Sequence, residues 1–89
     1  MFRMTINDLF DIRGRGPVVT GKIESGGVER GQRLSYTGAK VSRKVTVIAI
    51  EKFKQFNLSS ASASSDDVGL ELNGIDANEV TINDVLSGT

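Results

Sequence analysis

The residues with the clearest chemical spacing lie in the stretch Gly14-Arg15-Gly16-Pro17-Val18-Val19-Thr20-Gly21-Lys22-Ile23. Gly16 and Gly21-Lys22 reproduce the G-x-x-x-x-G-K spacing of a phosphate-binding loop, but Ile23 stands where a Ser or Thr hydroxyl would hold magnesium. Such a loop also needs a helix N-terminus after it, so that backbone amides face the phosphates. Glu24-Ser25-Gly26-Gly27 starts a helix poorly. The better reading is tight turns feeding a β-branched strand over Val18 to Ile23. The chain has no cysteine and no histidine, which removes disulfides, thiolate nucleophiles, imidazole bases and the usual zinc sites. A carboxylate-only metal site would have Asp66-Asp67 as its nucleus, but no EF-hand spacing surrounds the pair, and a solvated turn is the plainer reading. No paired carboxylates or poised lysine are marked out. The expectation is therefore a non-enzyme without metal, cofactor or catalytic residues.

Charge and composition bound the rest. Lys and Arg number 11, as do Asp and Glu, so the net charge is zero. A general nucleic-acid coat is disfavoured by that balance. Residues 1–45 nevertheless carry nine basic and four acidic side chains, and residues 46–89 carry two and seven. Interleaved strands would let these halves neutralise one another on one surface; segregated strands would leave a basic docking face. Leu, Ile, Val and Phe make up 26 of the 89 residues, enough for one compact core and above the range of disordered chains. No apolar run approaches a membrane span, and the start of the chain turns polar at once. A cytoplasmic protein is expected.

These features predict β-strands throughout. Phe2 to Ile12 alternates loosely, with an irregularity at Asn7-Asp8. Pro17 sits at the mouth of the next strand, where no amide is needed. Leu34 to Tyr36 follows, and then Arg43 to Phe53, in which Val45, Val47 and Ala49 alternate with Thr46, Ile48 and Ile50. Ser59 to Ser65 is low in complexity and reads as a mobile loop. Val68, Leu70 and Leu72 alternate with Gly69, Glu71 and Asn73, the pattern of a half-buried strand. Asp76 and Glu79 have the spacing of a capping box, and one helical turn there would be stopped by Val80-Thr81-Ile82. Val85-Leu86 makes a last strand. Six short strands between Gly-rich turns indicate an all-β fold, a single small antiparallel β-barrel over residues 1–89. The predicted core is Ile6, Ile12, Val18, Ile23, Leu34, Val47, Ile50, Val68, Leu70, Leu72 and Val85.

The string Phe2-Arg3-Met4-x-Ile6-x-x-x-Phe10-x-Ile12-x-Gly14-Arg15-Gly16-x-Val18-Val19-Thr20-Gly21-Lys22-Ile23 resembles the second, β-barrel domain of elongation factor Tu-like translation GTPases. Gly31-x-x-Leu34, Glu51-x-Phe53-Lys54 and Val68-Gly69-Leu70-x-Leu72-x-Gly74-Ile75 continue the match, which reaches Gly88. The resemblance implies a barrel of the translation-factor domain 2 type. It implies a binding module that receives the aminoacyl-adenosine end of transfer RNA, or docks on the ribosome and its RNA, beside a GTPase domain in the parent protein. Carried over by position, the candidate contacts are Asp8, Phe10, Arg15, Thr20, Glu51, Lys54 and Asp67. Phe10 would offer a ring to the terminal adenine; Arg15 and Lys54 would meet phosphate or backbone oxygen; Glu51 would accept from a ribose 2′-hydroxyl. Each also has an ordinary structural use, as core, turn cover or solvated strand end. The sequence departs from the family's pattern at three places: Asn7 replaces a second acid, Lys54 an arginine, and Asp67 an asparagine. No GTPase motif is present, so no GTPase activity is expected of the chain. Met1 stands where the family often has proline, and this sharp start suits an excised domain better than a natural small protein. The alternative function is a stand-alone barrel reused for protein–protein interaction.

Overall fold

The computed structural model describes residues 1–52, 54–64 and 66–88. Among the described residues nine strands form in chain order: β1 (Arg3–Thr5), β2 (Asp8–Asp11), β3 (Pro17–Ser25), β4 (Gly27–Glu29), β5 (Arg33–Thr37), β6 (Ser42–Lys52), β7 (Ser60–Ser62), β8 (Asp67–Asn73) and β9 (Val85–Ser87). A 3-10 turn, Ala77–Glu79, lies between β8 and β9. The ring order β1-β9-β5-β6-β8-β3 closes because β3 pairs back onto β1, so six antiparallel strands make a barrel. β2 is added on the outer edge of β3, and β4 with β7 forms a separate two-stranded sheet. Closure leaves few strand edges to solvent.

The local sequence explains how the ring closes. The Phe2 to Ile12 segment is two strands, broken at Ile6-Asn7. Asn7 N–H donates to the Thr20 carbonyl at 2.8 Å, while Ile6 exchanges backbone hydrogen bonds with Asn83 and Asp84. β1 thus pairs along Ile23 and Ser25, and β2 along Pro17 to Thr20. The glycines that mimic a phosphate loop serve this closure. A Cβ on Gly16 would stand 2.5 Å from the Leu72 carbonyl oxygen of β8, and one on Gly21 would overlap the Thr5 carbonyl oxygen of β1. Lys22 lies inside a continuous strand, with no helix after it. Pro17 opens that strand, where its missing amide costs nothing.

The barrel is filled by Met4, Ile6, Val19, Ile23, Leu34, Tyr36, Val45, Val47, Ile50, Leu70, Leu72 and Leu86, all 2% exposed or less. Two core expectations fail. Ile12 is 41% exposed because it leads the turn after β2, and in β9 the inward position belongs to Leu86 while Val85 is only half-buried. In β6 a bulge between Val47 and Ala49 resets the alternation. Ile50 therefore points inward with Val45 and Val47, while Ile48, next to the inward Val47, faces out, 41% exposed. The stretch read as a mobile loop contains β7, whose Ala61 opposes Val28 of β4. Phe53 and Ser65, which ended the predicted strand and loop, lie outside the described residues.

At the closed end, Asp84 is 6% exposed. Its carboxylate accepts the Tyr36 hydroxyl, the Ala39 N–H at 3.1 Å and the Thr81 N–H at 2.9 Å. Burial, then the neighbouring Asp84 carboxylate, pushes the Tyr36 phenol well above its ordinary value. The expected capping box forms in part: Glu79 accepts the Asp76 N–H at 3.0 Å and donates its own N–H to the Asp76 carbonyl at 2.9 Å.

Candidate functional site

Antiparallel partners directly opposite one another place their side chains on the same face of a sheet. Across β2, β3, β8 and β6 the register aligns Asp8, Thr20, Gly69 and Glu51 in one row, and Phe10, Val18, Glu71 and Ala49 in the next. Both rows lie on the outer side of the barrel wall, since the intervening Val19, Leu70 and Ile50 fill the core; Val18 is buried there, 5% exposed, by its neighbours on that side. Four of the seven sequence-predicted residues, Asp8, Phe10, Thr20 and Glu51, therefore share one patch by register alone. Neighbouring strands are about 4.8 Å apart, so the rows span about 14 Å from β2 to β6.

Arg15 reaches this patch from the turn between β2 and β3. Its Nη2 donates to Glu51 Oε1 at 2.7 Å, and its Nε donates to Glu71 Oε1 at 2.7 Å. The Gly16 N–H adds a 3.3 Å bond to Glu71 Oε2. The hydrogen bonds from Arg15 to Glu51 first, and then to Glu71, hold the guanidinium pKa above its ordinary value. The side chains are 34%, 21% and 12% exposed for Arg15, Glu51 and Glu71, so solvent screens the triad only in part.

Phe10 is 49% exposed, which excludes it from the core and leaves its ring available. Asp8 caps the backbone, accepting the Leu9 N–H at 2.8 Å. The Thr20 hydroxyl donates to Asn7 Oδ1 at 2.9 Å, and Asn7 Nδ2 donates to Asp67 Oδ2 at 3.3 Å. Asp67 is thereby tied to the patch, but it is the first residue of β8, opposite Lys22, and not part of a loop. Lys54 is exposed in the turn after β6, with φ 60°.

Three contributors escape the sequence reading. Glu71 is the second carboxylate on Arg15. Phe56, 67% exposed, lines a cleft of about 270 Å³ with Arg15, Glu51 and Glu71. Gly69 leaves a notch between Thr20 and Glu51, since a Cβ there would meet Val18 Cγ1, Thr20 Cγ2 and Glu51 Cβ at 3.6, 3.8 and 3.9 Å. Alternation marked Gly69 and Glu71 as outward-facing, but only the register shows what they face. Asp8, Glu51, Asp67 and Glu71 outnumber Arg15 and Lys22, so the patch carries negative charge.

No family model matches the chain. Among solved structures, the apo form of translation elongation factor SelB from Methanococcus maripaludis is similar over 99% of this chain, with a TM-score of 0.83 and 32% identity. The chain spans 18% of that protein's length. The closed six-stranded barrel is therefore of the domain 2 type found in elongation factor Tu-like translation GTPases. That likeness supports a translation-factor barrel module. Among the described residues, no helix is long and apolar enough to cross a membrane.

Proposed function

We infer that the outer face of β2, β3, β8 and β6 holds the terminal nucleoside of an RNA, with an aminoacyl-tRNA end as the favoured ligand and a ribosomal RNA end as the other source. The observation that carries this reading is the register row Asp8-Thr20-Gly69-Glu51, a notch beside the exposed Phe10 ring. The ring supplies a stacking surface. Glu51 and Thr20 supply an acceptor and a hydroxyl for ribose hydroxyls, and Gly69 leaves the room for them. The negative patch disfavours the phosphate chain, so the contact is with the base, the ribose and the ammonium of the aminoacyl ester. Steering from a distance is weak for the same reason. Binding by the chain alone is correspondingly weak, and a neighbouring GTPase domain in a cytoplasmic parent protein completes the site. The chain contributes no GTP hydrolysis of its own; Lys22 within a strand supports that.

The test is a chemical-shift titration of the isotope-labelled chain with a short aminoacylated CCA analogue at low salt. Saturable shifts centred on Asp8, Phe10, Thr20, Glu51 and Gly69 are expected. Shifts elsewhere, or none while a protein partner perturbs the same face, would support protein–protein interaction instead.

A further inference from the structure

Ile48 lies outside the row just described. Alternation from the inward Val47 already places it on the outer face of the longest strand, where it is 41% exposed beside the β6 bulge. Ile48 forms part of the wall of a cleft of about 550 Å³, together with Pro17, Arg43, Asp11, Asp76 and Glu79. That volume lies within the range of binding clefts. Arg15 lines both this cleft and the Phe56 cleft.

The charges of this cleft are partly spent within the protein. Arg43 Nη2 pairs with Glu79 Oε2 at 2.9 Å, and its Nη1 donates to the Gly74 carbonyl at 3.3 Å. Arg15 is held by Glu51 and Glu71. Both cations of the wall are thus matched by acids, which leaves Asp11 and Asp76 exposed at the rim without a basic partner among the described residues. A largely polar cleft with the exposed Ile48 in its wall and two unmatched carboxylates complements one kind of side chain well. Lysine and arginine bury an aliphatic stem while keeping a cationic head in contact with acid or water.

We propose that this cleft docks a basic segment of a protein partner, taking a lysine or arginine whose stem lies along Ile48 and Pro17 and whose head meets Asp11 and Asp76. The surface is separate from the nucleoside row and does not depend on that reading. An RNA backbone is repelled by the same carboxylates. A second copy of this chain is the remaining rival.

The test uses the whole chain and the peptide acetyl-Ala-Lys-Ala-Arg-Leu-Lys-Ala-amide, with a control in which Glu replaces each Lys and Arg. Nitrogen-edited spectra at low salt should show saturable shifts at Asp11, Ile48, Gly74 and Ile75 with the basic peptide only. Binding should weaken several-fold between about 20 and 300 mM salt, as the Debye length falls from about 20 Å to about 6 Å. Ile48→Ser and Asp11→Asn change exposed side chains, and Asp76→Asn retains a capping residue type. Each should raise the dissociation constant at least threefold with an unchanged melting temperature. Shifts at other sites, equal binding of the acidic control, no saturation at millimolar peptide, or unchanged affinity in Ile48→Ser would each overturn the proposal. So would concentration-dependent self-association, seen by sedimentation, that shifts this same cleft.

Discussion

Two glycines on neighbouring strands make opposite predictions, and the contrast tests how the patch is built. Gly69 is outward on β8 and lacks the positive φ that would demand glycine; Gly21 is inward on β3 at the closing seam. A Cβ on Gly69 would meet its nearest neighbours at 3.6 to 3.9 Å, ordinary van der Waals contact. Glycine within a strand costs about 0.5–1 kcal/mol relative to alanine through backbone entropy. Gly69→Ala should therefore stabilise the chain by about that amount, raising Tm by about 2–8 °C for a domain of this size. The same methyl group fills the notch between Thr20 and Glu51, so nucleoside binding should fall as stability rises. Gly21→Ala should do the reverse to stability, because its Cβ overlaps the Thr5 carbonyl oxygen and the β1–β3 seam must open; about 1–3 kcal/mol is lost. Thermal and urea unfolding followed by circular dichroism measure both. A loss of more than about 1 kcal/mol in Gly69→Ala would refute an open notch at that position and the strand entropy argument together.

Further outcomes follow from the polar contacts. Asp84→Ala removes the acceptor for Tyr36, Ala39 and Thr81; at about 1–3 kcal/mol for each stranded donor, the loss should approach the whole stability of the chain, whereas Tyr36→Phe should fold and lose about 1–2 kcal/mol in urea unfolding. Tyr36 is the single tyrosine, and its phenol pKa is raised above the ordinary value of 10. Its contribution to stability is thus complete below pH 10 and falls as pH rises through the folded-state value; absorbance near 295 nm should show tyrosinate only as the chain unfolds, and a reversible titration near pH 10 in the folded chain would contradict this. The Thr5 hydroxyl bond, ahead of the Arg3 charge, holds the Glu24 carboxyl below its ordinary 4.5. Thr5→Val should move that titration upward by NMR, and the small stabilisation from Glu24, present above the unfolded-state value, should disappear as pH falls through the folded one.

The parts of the fold that were legible in the sequence are those set by local period and turn chemistry. The alternation of Val68, Leu70 and Leu72 survives unchanged in β8, and the β-branched run after Gly16 becomes β3. A two-residue period cannot announce where it slips, so the bulge that brings Ile50 inward was invisible. Ser60–Ser62 reads as loop by composition, yet β4 offers it a partner from a distant part of the chain. The site divides along the same line. Asp8, Phe10, Thr20 and Glu51 were placed by resemblance, and the register brings them together. Glu71, Phe56 and Gly69 acquire their positions from pairing between strands far apart in sequence, which no local pattern encodes. Asp67 reached the patch by way of Asn7, a residue marked only as a departure from the family's pattern.

The account rests on the exposed ring of Phe10 being a platform for a base. The most direct measurement is the affinity of the chain and of Phe10→Ala for the same aminoacylated CCA analogue at low salt, with unfolding curves of both. Because the ring is half in solvent, the account predicts nearly unchanged stability and a loss of about 1–3 kcal/mol in binding, or about 5- to 150-fold in dissociation constant. Equal affinities, or a loss of binding matched by a loss of folding, would contradict it.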